Sequence, residues 1–447
     1  MPTDRKTAPS ENGKINFELP EIKIINLTNG LKVYFIEKTG LPLVQMSLIL
    51  NAGSKFDPEG ASGVSNMTAQ LLDEGAGSYS ALELDEEFEF LGTDISISAN
   101  HDNIYISMLS LEENFIRSLE LFSTIIKEPQ FNDNDFERER HKILSRIIQL
   151  QSDPSYVASV NFNKILHGNG LYSTPVLGNP ADIEKLEKQE IIKFYENYFF
   201  ANNAAIVIAG SLNHSVTTDL LNEYLGNWSS GKLPGNFHPG KIVSKQGVFI
   251  VHKDNAPQSE IRIGHLSAGR NTPDFYAKTL MNSVLGGQFS SRINLNLRED
   301  KGFTYGAHSS FSYRQEQSHF KVSTAVQTEN TAAAVSEILK ELKNIREEIS
   351  EKELNFAKSN LVKTYPLKFE TYAQLTGNLA ALFVYSLPED YFSTYIGNIE
   401  KTTLEETLTA ARKNIDQENP VVLIVGDKNK ISEDVEKVCG IKPEIIE

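Results

Sequence analysis

The chain has 447 residues, 40% hydrophobic and 23% charged, a balance that fits a packed globular protein of roughly two to four domains. Its 43 Lys and Arg face 59 Asp and Glu, for a formal charge of −16, and no basic block interrupts the sequence; a nucleic-acid partner, which needs a concentrated basic surface, is excluded. Cys439 stands alone, which excludes an intramolecular disulfide and a cysteine-based zinc knuckle, and no run approaches the ~18 apolar residues of a membrane span.

The opening "MPTDRKTAPSENGK" is polar and carries proline, unlike the apolar core of a signal peptide. It reads as part of a flexible segment over residues 1–20 of a soluble chain, cytoplasmic, or periplasmic if a signal has been removed. "LKVYFIEK" (32–39) and "LVQMSLILNAG" (43–53) then predict two strands, punctuated by Gly40 and Pro42. "GASGVSNMTAQLLDEG" predicts a helix, with Val64, Met67 and Leu71 at helical spacing. "TDISISAN" and "NIYISMLSL" alternate as a hairpin around His101-Asp102-Asn103. "EENFIRSLELFSTIIKEP" places Phe115, Leu119, Phe122 and Ile126 on one helical face, "NDNDFERERHKILSRIIQLQ" continues as a further helix, and "AAIVIAGSLN" (204–213) is a buried strand.

The same order returns in the second half. "GVFIVHK" and "SEIRIGHLSA" are strands, "DFYAKTLMNSVLGG" and "SRINLNLRED" are helical, and "FTYGAHSSFSY" with "SHFKVSTAV" forms a hairpin. "TENTAAAVSEILKELKNI" is amphipathic through Val335, Ile338, Leu342 and Ile345; the next helix opens with a capping box, Ser350 and Glu353. "PVVLIVGDKN" closes this half as "AAIVIAGSLN" closes the first. A unit repeated once at this size is a domain and not a solenoid repeat. The expected fold is α+β: two tandem homologous domains, 21–228 and 246–447, each a largely antiparallel sheet covered by helices. The Gly-, Pro- and Ser-rich stretch within 229–245 is the expected linker.

"LTNGLKVYFIEK", "NAGSKFDPEGASGVSNMTAQLLDEG", "ERERHKILSRI" and "LGGQFSSRINLNLREDKGFTYG" together resemble the insulinase/pitrilysin family of metallopeptidases. In catalytic members the first of the two helices carries His-x-x-Glu-His, the inverted zincin motif, and a glutamate further along the chain is the third zinc ligand. The resemblance places Asn66 and Gln70 at the histidine positions, Ala69 at the base and Arg146 at or beside the distal glutamate. Amides are poor zinc ligands, Ala69 moves no proton, and a guanidinium ~5 Å from Zn²⁺ would repel it by roughly 7 kcal/mol at an effective dielectric constant near 20. No metal and no cofactor is therefore expected in this chain. His308 and His319 would face each other if the second hairpin turned at Tyr313-Arg314, but no third ligand accompanies them.

The resemblance also implies a role that survives without zinc. The substrate-holding domain of the family supplies an arginine and a tyrosine to its partner's site, and the matching residues are Arg298 and Tyr305. Arg298 is expected at a helix end terminated by Lys301-Gly302, with Tyr305 starting the next strand. A fork of N–H donors and a phenol O–H suit a peptide carbonyl on which negative charge develops.

Two readings follow. In the first, the chain is the non-catalytic, substrate-binding subunit of a heterodimeric zinc metallopeptidase. It closes like half of a clamshell over a homologous subunit that carries His-x-x-Glu-His and the zinc, and it forms a possible homodimer when isolated. In the second it is a structural core-type subunit or a peptide-binding protein with no part in proteolysis. No Ser/His/Asp or Cys/His arrangement supports an independent hydrolase.

Overall fold

The structure, a computed structural model, describes residues 17–234 and 244–446. Most of the predicted N-terminal segment (residues 1–16), the middle of the predicted linker (235–243) and residue 447 lie outside the described residues.

Two six-stranded sheets organise the chain. The first is built from β1 (Ile22–Asn26), β2 (Lys32–Glu37), β3 (Leu43–Leu50), β4 (Asp94–Ala99), β5 (Ile104–Leu111) and β6 (Ala204–Gly210), in the order β1-β2-β6-β3-β5-β4. The second uses β7 (Gly247–His252), β8 (Gln258–Ser267), β9 (Ala307–Ser312), β10 (Ser318–Gln327), β11 (Val421–Gly426) and β12 (Glu444–Ile446), in the order β12-β7-β11-β8-β10-β9. Apart from the outermost strands β1 and β12, one order maps onto the other. In each sheet the closing strand (β6, β11) lies parallel to the opening one (β2, β7), and the hairpin strands run antiparallel.

The helices of the first half are α1 (Val64–Gln70), α2 (Ala81–Phe90), α3 (Phe115–Lys127), α4 (Asp133–Gln151), α5 (Pro154–His167), α6 (Pro180–Lys185), α7 (Lys188–Tyr198) and α8 (His214–Leu225). Those of the second are α9 (Phe275–Leu285), α10 (Arg292–Asn294), which continues as a π-helical turn Leu295–Asp300, α11 (Thr331–Glu347), α12 (Glu351–Thr364), α13 (Tyr372–Val384), α14 (Tyr391–Lys401), α15 (Leu404–Asn414) and α16 (Lys428–Cys439). The predicted apolar faces of α3 and α11 are buried throughout. The Ser350/Glu353 capping box is present, with Glu353 also gripping Arg292. The first predicted helix is shorter than its sequence suggests: α1 stops at Gln70, and the chain turns through to Gly75.

Burial explains the sequence patterns. β4, at an edge, alternates exposed and half-buried residues, whereas β6 and β11, at the centre, are buried on both faces and read as continuous apolar runs. The second cover of each central strand comes from the other half. α13 packs its Leu375 and Leu379 on the face of the first sheet that presents Ile36, Ile49 and Val207. α5 packs Ala158, Phe162 and Leu166 against Phe249, Leu423 and Val425 of the second sheet. Gly264 of β8 permits that approach, since a Cβ there would lie 3.0 Å from Phe162 Cζ and 2.0 Å from the Phe320 carbonyl oxygen. These two helices, α5 after α4 and α13 after α12, are exchanged between the halves.

The seam so formed also buries polar groups. His167, at the end of α5, is fully buried with neither ring nitrogen hydrogen-bonded; its ring lies 5.6 Å from that of His319 and 5.7 Å from that of Tyr172. His101 lies 5.6 Å from Tyr172 on another side, and the Arg314 guanidinium stacks on the Tyr172 ring at 4.6 Å. Asp102 accepts from the Tyr172 hydroxyl (2.8 Å), Lys55 Nζ (3.2 Å) and the Gln315 N–H (3.2 Å), so one carboxylate joins the first half to the hairpin tip of the second.

Burial, and then the Arg314 charge, pulls His101 and His167 down to about 3 and His319 well below its ordinary value. A histidine whose folded pKa lies below its unfolded one binds its proton preferentially in the unfolded chain. Stability is then full above about pH 6.5 and falls as the pH drops toward 3. Asp57 and Glu74, both raised to about 7, act with the opposite sign, so the histidine contribution is isolated by substitution. His167→Phe is expected to make unfolding free energy less steep between about pH 6 and 4 by ~1.4 kcal/mol per pH unit. Urea titrations across that range measure it, and an unchanged slope contradicts the account.

Candidate functional site

α1 is the helix on which the resemblance places a metal. Gly63 precedes it with φ +94°, and the Asp57 carboxylate caps its start by accepting from the N–H groups of Gly63 (2.7 Å) and Ser65 (2.9 Å). Burial pushes Asp57 up to about 7 despite those bonds. Asn66 and Ala69 are buried and Gln70 is half-buried. Arg146 projects from the exposed face of α4 and donates to Gln149 Oε1 at 3.0 Å. The four positions thus hold two amides, a methyl and a solvated cation, and these do not fit zinc.

Beside them is a set of carboxylates that the sequence reading missed. Glu139 of α4 is buried and meets Lys142 at 2.6 Å and Arg138 at 3.5 Å; both cations also reach Glu74, beyond the end of α1. Burial, then the neighbouring Glu139, lifts Glu74 to about 7, and burial lifts Asp73 to about 6. Two cations between two carboxylates tie the chain after α1 to α4, the two segments that a metal would otherwise link. The signal was legible as "DEG" followed by "ERERHK", but the pairing needed the fold.

Arg298 and Tyr305 lie on one segment at the edge of the second sheet. Arg298 sits in the π-helical turn, which closes with the Lys301 N–H on the Asn296 carbonyl (3.0 Å) and ends at Gly302, φ +65°. The helix end is as expected. Tyr305, however, does not start a strand: β9 begins at Ala307, and Tyr305 stands in the preceding turn with 95% of its surface exposed. Thr304 takes the inward role there, bonding Gly306 and Thr324, which leaves the Tyr305 ring outside the ladder. The Arg298 guanidinium lies 4.6 Å over the ring of Phe289 and 3.4 Å from Glu299. Phe289, 63% exposed, was not picked from sequence; "GGQFSS" places it in the turn before α10. Asn294 braces the segment, donating to the Phe289 carbonyl (2.7 Å) and accepting from the Ala307 N–H (3.0 Å). The result is a fork of donors resting on Phe289, with the exposed Tyr305 ring on the same braced turn.

The His308/His319 expectation fails on register. The hairpin turns between Ser312 and Ser318, so His319 pairs with Ser312 and His308 with Ser323. Among the described residues one trio approaches metal geometry: His252, Asp254 and Asp427 offer atoms within 4.8 Å of one another. Asp427 accepts from the Asn429 and Asn255 N–H groups and His252 Nδ1 from the Lys428 N–H, so the site's donors are engaged in capping α16.

Comparison with known proteins gives the family. Residues 32–178 match the insulinase family (peptidase family M16), and residues 185–361 match the peptidase M16 inactive domain. The chain is 24% identical over 402 residues to the non-peptidase homolog YmxG of Helicobacter pylori, covering 89% of this chain and 92% of that one. It is 24% identical to bovine cytochrome b-c1 complex subunit 1 and 20% identical to the bovine mitochondrial-processing peptidase subunit beta, covering 60% and 63% of this chain and 56% and 58% of theirs. A solved M16 inactive domain from Pseudomonas fluorescens shares the fold, with a TM-score of 0.85 at 24% identity, over 91% of this chain and 98% of that one. The chain belongs to the insulinase family, peptidase family M16.

The isolated chain, equilibrated with equimolar zinc and desalted, is expected to retain far less than one zinc per chain, with EDTA leaving its melting temperature unchanged. Atomic absorption and a thermal melt measure this; stoichiometric zinc would contradict the site description.

Proposed function

We propose that the chain is the substrate-binding, non-catalytic subunit of a two-chain zinc peptidase. The observation that carries this reading is the braced Arg298–Tyr305 turn in the second half, together with a metal-helix position in the first half that holds amides and a methyl in place of ligands. Arg298 is oriented by the Phe289 ring, a contact worth ~0.5–1 kcal/mol at an exposed site, and by Asn294 bracing the turn. Tyr305 offers its hydroxyl to solvent or to a ligand. A peptide carbonyl held by such donors gains ~3–4 kcal/mol of stabilisation when negative charge develops on its oxygen. Neither side chain removes a proton from water at neutral pH, so the pair positions a peptide for chemistry performed elsewhere. The partner in this reading is a homologous subunit with His-x-x-Glu-His and the metal, and the substrates are short or unfolded peptides. The M16 inactive-domain match, which includes both residues, supports it.

A second reading is a structural core-type subunit, favoured by the similarity to cytochrome b-c1 complex subunit 1. Among the described residues no helix is long and apolar enough to cross a membrane, so any such assembly would hold this chain by its surfaces.

Mixing the chain with a His-x-x-Glu-His partner and assaying a quenched peptide decides between them. The mixture is expected to cleave, Arg298→Ala to lower kcat about 10²–10³-fold, and Tyr305→Phe to lower it by a smaller factor. Cleavage that ignores both substitutions removes the role assigned to them, and copurification with a large membrane complex supports the second reading.

A further inference from the structure

The seam between the halves holds a half-open cavity of about 580 Å³ that has no part in the edge described above. Asn51, Asn202 and Asn203 line it from the first half, and Arg270, Arg314 and Tyr385 from the second. Both arginines are held in place by aromatic rings. The Arg270 guanidinium lies 3.2 Å over the centre of Phe275 and donates to the Tyr391 hydroxyl; that of Arg314 lies 4.6 Å over Tyr172. Neither forms an ion pair among the described residues, although the chain carries 59 carboxylates against 43 Lys and Arg.

The acids within reach do not neutralise them. Asp102 attracts Arg314, but its oxygens are taken by Lys55, Tyr172 and Gln315. Glu316, the one carboxylate in the lining, is exposed. The surrounding histidines 101, 167 and 319 are held neutral and add no negative charge. Arg314 Nη1 is buried with no hydrogen-bond partner, and burial draws this guanidinium down to about 10. Asn51 Oδ1, on the same cavity, is buried with no donor. A desolvated cation and an unsatisfied donor and acceptor each carry a free-energy cost, and aromatic stacking orients a guanidinium without cancelling its charge.

We propose that this seam cavity is a binding site for a small oxyanion, a carboxylate or a phosphate, received by Arg270 and Arg314. Arginine forks match either group, and Asn51 Oδ1 accepts an N–H from a ligand that carries one beside its anion. The site uses residues from both halves, so its occupant fastens the hairpin tip of the second half to the first. The proposal stands apart from the peptide-positioning role of Arg298 and Tyr305, since it needs no partner chain.

Calorimetric titration of the isolated chain at pH 7 tests it with three probes: inorganic phosphate, an N-acetyl dipeptide with a free carboxyl group, and the same dipeptide as its C-terminal amide. Saturable one-to-one binding of phosphate assigns a free anion; binding of the free acid at least tenfold tighter than the amide assigns a peptide carboxyl terminus. Arg270→Gln and Arg314→Gln are each expected to weaken the bound probe at least tenfold, with circular dichroism confirming folding. If a variant does not fold, the acid-against-amide and phosphate arms on the unaltered chain still decide. No saturable binding of either anion up to about 10 mM, or binding that both folded variants leave intact, overturns the site.

Discussion

Each half of this protein covers its central strands with a helix borrowed from the other. β6 and β11 are apolar on both faces, and a sheet of that kind is stable only when both faces are dry. Its own helices cover one face; α13 and α5, crossing over, cover the second. A fully buried Leu or Phe contributes ~1.5–3 kcal/mol, so Phe162, Leu166, Leu375 and Leu379 together make the seam a core and not a loose domain contact. The relative placement of everything else, including the two edge strands β4 and β9, depends on this exchange.

A tight seam has an electrostatic consequence. Closing it takes three histidines, Arg314, Lys55 and Asp102 largely out of bulk water, and the groups respond according to what is near. The histidines are held neutral. Lys55 and Asp102 pair at 3.2 Å with both side chains almost fully buried. The arginines rest on aromatic faces. The apolar exchange holds the halves together, while the polar groups make the junction sensitive to protons and anions.

The metal helix of the family persists here as architecture. α1 keeps its cap at Asp57 and its buried Val64 and Met67. The chain after α1 is tied to α4 by Arg138 and Lys142, which lie between Glu74 and Glu139. The second half has the contrasting history: its donor-bearing turn at Arg298–Tyr305 is intact, braced by Asn294 and covered by no other described element.

The sequence by itself determined the strands β2 to β11, the long helices α3, α4, α11 and α12, and the doubling of the unit. These follow from local period and capping, which depend on near neighbours alone. It also showed amides and Ala69 at the positions where the resemblance expects zinc residues, and the presence of Arg298, because residue identity decides whether a ligand or a fork of donors exists. It missed β1, β12 and the exchanged helices α5 and α13, whose apolar faces match no partner nearby in the chain. It misjudged Tyr305 and the pairing of His308, since strand onset and hairpin register are set by which side chains the neighbouring strand and turn accept. The seam cavity, the neutral histidines and the Glu74–Glu139 network were decided only by the tertiary structure. Each joins residues far apart in sequence, and burial, the property that gives them their chemistry, does not exist until the two halves close.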